Sequence, residues 1–266
     1  MPWQSCPSTE KLSKLGIIHV ALEPDPTIFS MRKLSLLFFV HMFFGLHGQN
    51  LVPNPGFENH LGCPTLPGQF RLVENWFSTG TGSPDYFNDC SPSMDYGTEF
   101  NFKGGQVPYE GHAYMGFQSE NLHHNEFYEY LETRLTEPLN ARQGYCIRAF
   151  ICRGKSTDAL PEIGAVLSVT QVKSSSSSRI RLPSVSLRNH EILADTLIWM
   201  CISVFYRAKG GEQFLTLGDF SLKDTFYPVE RDPVLDSTFM SAYYFIDDVS
   251  VEVTDSASEC ACSRGK

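Results

Sequence analysis

The chain has 266 residues, 42% of them hydrophobic, and a net charge of −9. That apolar content is enough for a core and excludes global disorder. The acidic balance lacks the basic stripe of a nucleic-acid footprint, so no nucleic-acid partner is expected.

In chain order, Met1–Ser30 is mixed and aperiodic. From Met31 the sequence MRKLSLLFFVHMFFGLHGQ sets Arg32 and Lys33 before an apolar run from Leu34 to Leu46. This is the layout of a secretory signal peptide, here 31–48, and it is short for a membrane span. Met31 is therefore the expected start, with 1–30 an extension wrongly assigned to the chain. Export would leave the protein in the periplasm, on the outer cell surface or outside the cell, with no membrane span after signal removal.

Asn50–Val52 is the first predicted strand. Further strands are expected at Ala113–Phe117, Phe127–Leu135, Tyr145–Arg153, Ile163–Thr170, Thr196–Arg207, Gln213–Phe220 and Tyr243–Val253. Tyr145–Arg153 and Thr196–Arg207 are apolar on both faces and read as central. Lys209-Gly210-Gly211-Glu212 is a hairpin signal. Ser174–Ser178 reads as a flexible loop tip, and Asp224–Ala242 as a long connection. About eight strands without amphipathic helices indicate an all-β sandwich or jelly roll over 50–253, with a short tail at 254–266.

Of the eight cysteines, Cys6 precedes the signal segment. Cys63 and Cys90 fall in turn-rich loops, and export favours a disulfide between them. Such a loop contributes roughly 3–4 kcal/mol in the chain-entropy account. Cys146, Cys152 and Cys201 lie in strand-like runs and read as small buried hydrophobes. Cys260-Ala-Cys262 reads as part of a solvated tail.

The stretches NLVPNPGFE (50–58), Trp76 and YYFIDDVSVEV (243–253) together resemble the CenC-type carbohydrate-binding-module superfamily, a galactose-binding-like jelly roll. NWFSTGTGSPDYFNDC, PYEGHAYMGF, YLETRLTEPLNARQGY and IWMCISVFYRAKGGEQFLTLGDF narrow this to a domain of exported Bacteroidota-type proteins, often found beside OmpA-type domains. No OmpA-type sequence follows here, so a cell-wall-anchoring role is not expected. The resemblance implies that the first and last strands lie side by side. It also implies a structural Ca²⁺ held by Glu58 and Asp247. Asp248 is a further ligand position, although adjacent strand residues face opposite sides. Ca²⁺ takes six to eight oxygen ligands, carboxylates and carbonyls together. The alternative is that these acids are solvated or bonded to turns.

The G-x-S-x-G, H-E-x-x-H, P-loop and dinucleotide patterns are absent from the sequence. Glu126, Glu129 and Glu132 share one run, EFYEYLE. In a straight strand Glu126 and Glu132 would be about 20 Å apart, too far for a glycosidase pair. His123-His124 reads as a loop feature. Sugars stack on aromatic faces, so Tyr86, Tyr96, Tyr109 and Tyr227 in predicted loops are the ligand-binding candidates, with packing under the loops as the alternative. Trp76 and Trp199 each start an apolar run and read as core. The expected function is an exported, non-catalytic carbohydrate-binding module. The alternative is a structural or adhesion domain with an envelope protein as partner.

Overall fold

Alternating aromatic and β-branched residues form eleven strands among the described residues. A computed structural model of the protein describes residues 48–122, 125–155, 157–189, 191–221, 225–229 and 239–262. Cys6, the stretch before Gly48 that is expected to be a signal peptide, His123-His124 and most of the 224–242 connection lie outside them. The strands are β1 (Trp76–Ser78), β2 (Asp85–Asn88), β3 (Ala113–Leu122), β4 (Asn125–Tyr128), β5 (Tyr130–Arg134) and β6 (Gly144–Arg153). They continue with β7 (Ile163–Ser168), β8 (Val185–Leu187), β9 (Met200–Arg207), β10 (Phe214–Gly218) and β11 (Phe239–Val253), and a single helical turn follows, α1 (Ala257–Cys260).

Two antiparallel sheets pack as a jelly-roll sandwich. One has the order β1-β5-β10-β7-β8; the other has β2-β3-β11-β6-β9, with β4 paired to β3. Alternation sends one side chain in two to the space between the sheets. Met115 and Phe117 of β3, Ile147 and Ile151 of β6, and Tyr244 and Ile246 of β11 meet Trp76, Leu131 and Leu217 there. Each such side chain contributes about 1.5–3 kcal/mol on burial.

The opposite faces are covered too, which is why β6 and β9 read as apolar on both sides. On the β2–β11 sheet, Phe87, Tyr114, Cys152, Tyr243 and Phe245 form a second apolar cluster. The 89–112 loop lies over it. Phe102 packs 5.8 Å from Phe87, and the Tyr114 hydroxyl donates to Thr98 O at 2.7 Å. Against the β5–β10 sheet, Tyr130 and Val166 pack with Tyr128, Phe220 and Val172, the last from the 171–180 segment.

Several expectations change. Ser174–Ser178 is no free loop tip: Tyr128 N donates to Ser177 O at 2.7 Å, and Thr81 N to Ser176 O at 3.4 Å. The single run 127–135 breaks at Glu129, where the chain leaves one sheet for the other. Lys209–Glu212 is likewise a crossing between sheets, because β9 and β10 do not pair. Glu212 closes it by accepting from Lys209 N and Gly210 N, both at 2.7 Å. Asn50–Val52 is irregular rather than a strand, yet it runs along β11. Leu51 N donates to Val251 O at 2.9 Å, and the Asn50 side chain accepts from Val251 N and donates to Val249 O, both at 3.0 Å.

The cysteines depart furthest from expectation. Cys63–Cys90 forms as expected. Cys146 and Cys201 are not inert hydrophobes: they pair with Cys260 and Cys262. The Cys-Ala-Cys tail is thereby stapled across β6 and β9. Cys152 is buried and free, as the sequence suggested.

Candidate functional site

The residues 50–58 build a knot at the end of β11. Asn54 and Phe57 take left-handed conformations, φ 53° and 62°. The Asn54 side chain donates to Asn59 O and Glu74 O, both at 2.9 Å, while its backbone carbonyl accepts from Trp76 Nε1 at 2.9 Å. Phe57 is buried against Trp76 at 4.9 Å between ring centroids. Trp76 is core, as expected.

This knot delivers Glu58 to the start of β3. Its Oε1 accepts from His112 N at 2.8 Å and Ala113 N at 3.1 Å. Asp247 approaches from β11, where the register slips before Ser250. Asp248 sits in that slip with φ 46°, half-buried, and its N–H donates to Asp247 Oδ1 at 2.7 Å. Asp247 is fully buried; its Oδ2 accepts from Tyr109 N at 2.9 Å and Glu110 N at 3.3 Å. Burial pushes its carboxyl up to about 8. Glu58 and Asp247 flank Gly56, whose Cβ position lies 3.6 Å from Asp247 Oδ1 and 3.9 Å from Glu58 Cγ. Among the described residues no three His, Cys, Asp or Glu side chains form a metal-binding group.

Both carboxylates thus grip residues 109–113, and the 89–112 loop encloses an open cleft of about 400 Å³. Met94, Phe100, Val107 and Pro108 supply apolar surface; Asp89, Glu99, Ser91 and Ser93 supply polar groups. Phe100 is 64% exposed and Met94 75%. Asp89 Oδ2 pairs with His112 Nδ1 at 2.6 Å, and this contact raises the imidazole above its usual range.

The four tyrosines do not converge. Tyr86 is fully buried, and its hydroxyl donates to Phe57 O at 3.2 Å and accepts from Asn88 Nδ2 at 2.8 Å, so it is unavailable to a ligand. Tyr96 packs against Phe102 at 5.9 Å. Tyr109 is exposed and stacks on Phe150 at 3.6 Å, next to Pro108 of the cleft. Tyr227 is exposed elsewhere, its backbone paired with Ala159. Sequence reasoning missed Phe100 and Met94. Their signal is an aromatic and a thioether among Gly97, Gly104 and Gly105, where no strand can bury them.

Other buried carboxyls accept hydrogen bonds from within the protein, although Glu132 Oε2 is buried without a partner among the described residues. Glu129 accepts from Ser83 N and Gln118 N, both at 2.9 Å. Asp85 accepts from Gly68 N at 2.7 Å and the Tyr243 hydroxyl at 2.6 Å. Glu132 accepts from Val172 N at 2.8 Å and the Thr216 hydroxyl at 3.0 Å.

No protein-family model matches the sequence, and no curated protein matches it. Among solved structures the chain is similar to the K1 cleaved adhesin domain of Lys-gingipain from Porphyromonas gingivalis W83. Identity is 14%, over 78% of this chain and 100% of that one, with a TM-score of 0.39. It is also similar to TmCBM61 in complex with beta-1,4-galactotriose (11%, 77% and 99%, TM-score 0.34). A third is the CBM22-1–GH10 modules of an endo-1,4-beta-D-xylanase from Clostridium thermocellum with xylohexaose (10%, 78% and 29%, TM-score 0.39). At these values the likeness bears on no residue and no ligand of this chain.

Proposed function

We propose that the chain is an exported, non-catalytic module that binds carbohydrate in the 89–112 cleft. The observation that carries this reading is an exposed phenyl ring, Phe100, beside carboxylates in an open cleft of about 400 Å³. An apolar ring face suits sugar C–H groups, and carboxylates accept from sugar hydroxyls. The amides and hydroxyl holding both oxygens of Asp85 and of Glu129 favour structural roles for these two acids over acid–base chemistry. Three disulfides suit an oxidising compartment and support export. A glycan array is the test. Binding that Phe100→Ala weakens at least about tenfold, a cost of about 1.4 kcal/mol, is expected; no binding to any glycan overturns the reading.

The structural Ca²⁺ belongs to the same proposal. Glu58 and Asp247 would hold it with backbone carbonyls, and Asp248 would add charge. In support, Asp247 is a buried carboxyl whose described hydrogen bonds all come from backbone N–H groups, so a cation would favour its ionised form. Calcium should raise the melting temperature and a chelator lower it. An unchanged melting temperature counts against the site.

One observation favours a protein partner instead. Leu197 and Ile198, 72% and 66% exposed, adjoin the cleft because Gln106 Nε2 donates to Leu197 O at 2.8 Å. An apolar patch of this kind suits an adhesion surface. Co-purification with an envelope protein that Leu197→Asp abolishes, with no glycan bound, would establish that reading.

A further inference from the structure

The charge around the cleft narrows the ligand class, given the carbohydrate reading above. Asp89 and Glu99 line it, and Asp95 and Glu110 are the chain neighbours of the lining residues Met94 and Gly111. None of the described lining residues is Lys or Arg. Lys103, the one Lys or Arg within 89–112, and Lys155, packed against that loop, are engaged elsewhere. Lys103 Nζ lies 4.6 Å from the Tyr243 ring centroid, over the sheet, and the Lys155 side chain packs against Gly104. His112, next to the lining residue Gly111, is tied to Asp89.

A uronate, sulfate or phosphate on a sugar would therefore meet Glu99 with no Lys or Arg to compensate, and Asp89 with its one basic partner, His112, already engaged. Like charges set face to face act as a specificity filter. A hydroxyl can donate to either carboxylate, and an ammonium group gains a charge-assisted bond as well. Phe100 accepts the sugar face in each case.

We infer that the cleft selects saccharides by charge: it takes neutral sugars, prefers those with a free amine, and rejects anionic ones. Asp89 and Glu99 are the selecting residues, and Phe100 supplies affinity without selecting.

The test uses the full chain on an array holding neutral, free-amine and uronate or sulfated oligosaccharides, followed by titration of the best binder in each class. Free-amine sugars should bind most tightly, at least about tenfold above their neutral counterparts, with an affinity that falls as salt rises. The Asp89→Asn/Glu99→Gln double variant should lose that preference and admit anionic sugars, so that free-amine, neutral and anionic counterparts bind it within about threefold of one another. Circular dichroism checks that the variant is folded; Glu99→Gln alone, at an exposed side chain, is the second variant if it is not. Binding of anionic sugars as tight as neutral ones overturns the charge selection and leaves the carbohydrate reading standing. An unchanged preference in the folded variant also overturns it. No binding in any class overturns both.

Discussion

Glu129 sits at the corner where β4 gives way to β5, and burial pushes its carboxyl from 4.5 up to about 8. Asp85 beside it shifts in the same direction, chiefly by desolvation. A raised folded pKa means that the folded chain holds the proton more tightly than the unfolded one. The resulting stability is complete below about pH 4.5 and is lost as pH rises to about 8. The slope reaches about 1.4 kcal/mol per pH unit for one group. In chelator, the melting temperature should fall between pH 5 and pH 8, by about 2–4 °C per kcal/mol for a domain of this size. Glu129→Gln should flatten the fall; a rise over that range contradicts the assignment. Two glycines give a sharper contrast. Gly111 has φ 70°, and a Cβ there would run into the Glu58 carboxylate. Gly111→Ala should cost about 1–3 kcal/mol by urea titration, since it strains the backbone and dislodges Glu58 from two amides. Gly56→Ala meets only ordinary contacts and should stay within about 1 kcal/mol.

At the scale of elements, the tail matters most. α1 contributes little on its own, being four residues long. Its two cystines instead tie β6 and β9 to the chain end, with sequence separations of 114 and 61. Cys262→Ser should cost about 2–5 kcal/mol in chemical denaturation. Peptide mapping under non-reducing conditions should return 63–90, 146–260 and 201–262 as linked pairs; any other pairing contradicts the fold. The sequence made β3, β6 and β11 legible because they are apolar and aromatic runs, with Met115 and Phe117 or Ile147 and Ile151 on one inward face. It hid the β4–β5 corner, since Phe127, Leu131 and Leu135 keep their period through a change of sheet. It hid the tail staples for a different reason. Alternation sets Cys146 and Cys201 on the side away from the core residues Ile147 and Ile202, and local pattern does not say what covers that side.

At the scale of the molecule, both sheets carry a covering segment, 89–112 on one and 171–180 on the other. The sandwich is then a support, and the proposed recognition surface belongs to a loop. This explains why the site was the least legible part. Tyrosines in predicted loops seemed free, yet Tyr86 fills the core and Tyr96 packs against Phe102. Exposure is decided by how a loop folds back onto a sheet. Glu58 and Asp247 were legible as a pair because the ends of a jelly roll meet, and their shared hold on 109–113 links that junction to the cleft.

Cys152 is opposite Phe245 in the β6–β11 register, in the middle of the layer under the 89–112 loop. Burial pushes its thiol up to about 12, so in the native state it does not attack a neighbouring cystine. Before that layer forms, the same sulfur is an ordinary nucleophile among six thiols that must find specific partners. Oxidative folding then becomes a race: the central strands must close over Cys152 before the tail cysteines are oxidised. Cys152→Ala should raise the yield of correctly paired protein on refolding from the reduced state, at a cost of about 1–2 kcal/mol in native stability. Equal yields from variant and parent would mean that the sheet closes well ahead of oxidation.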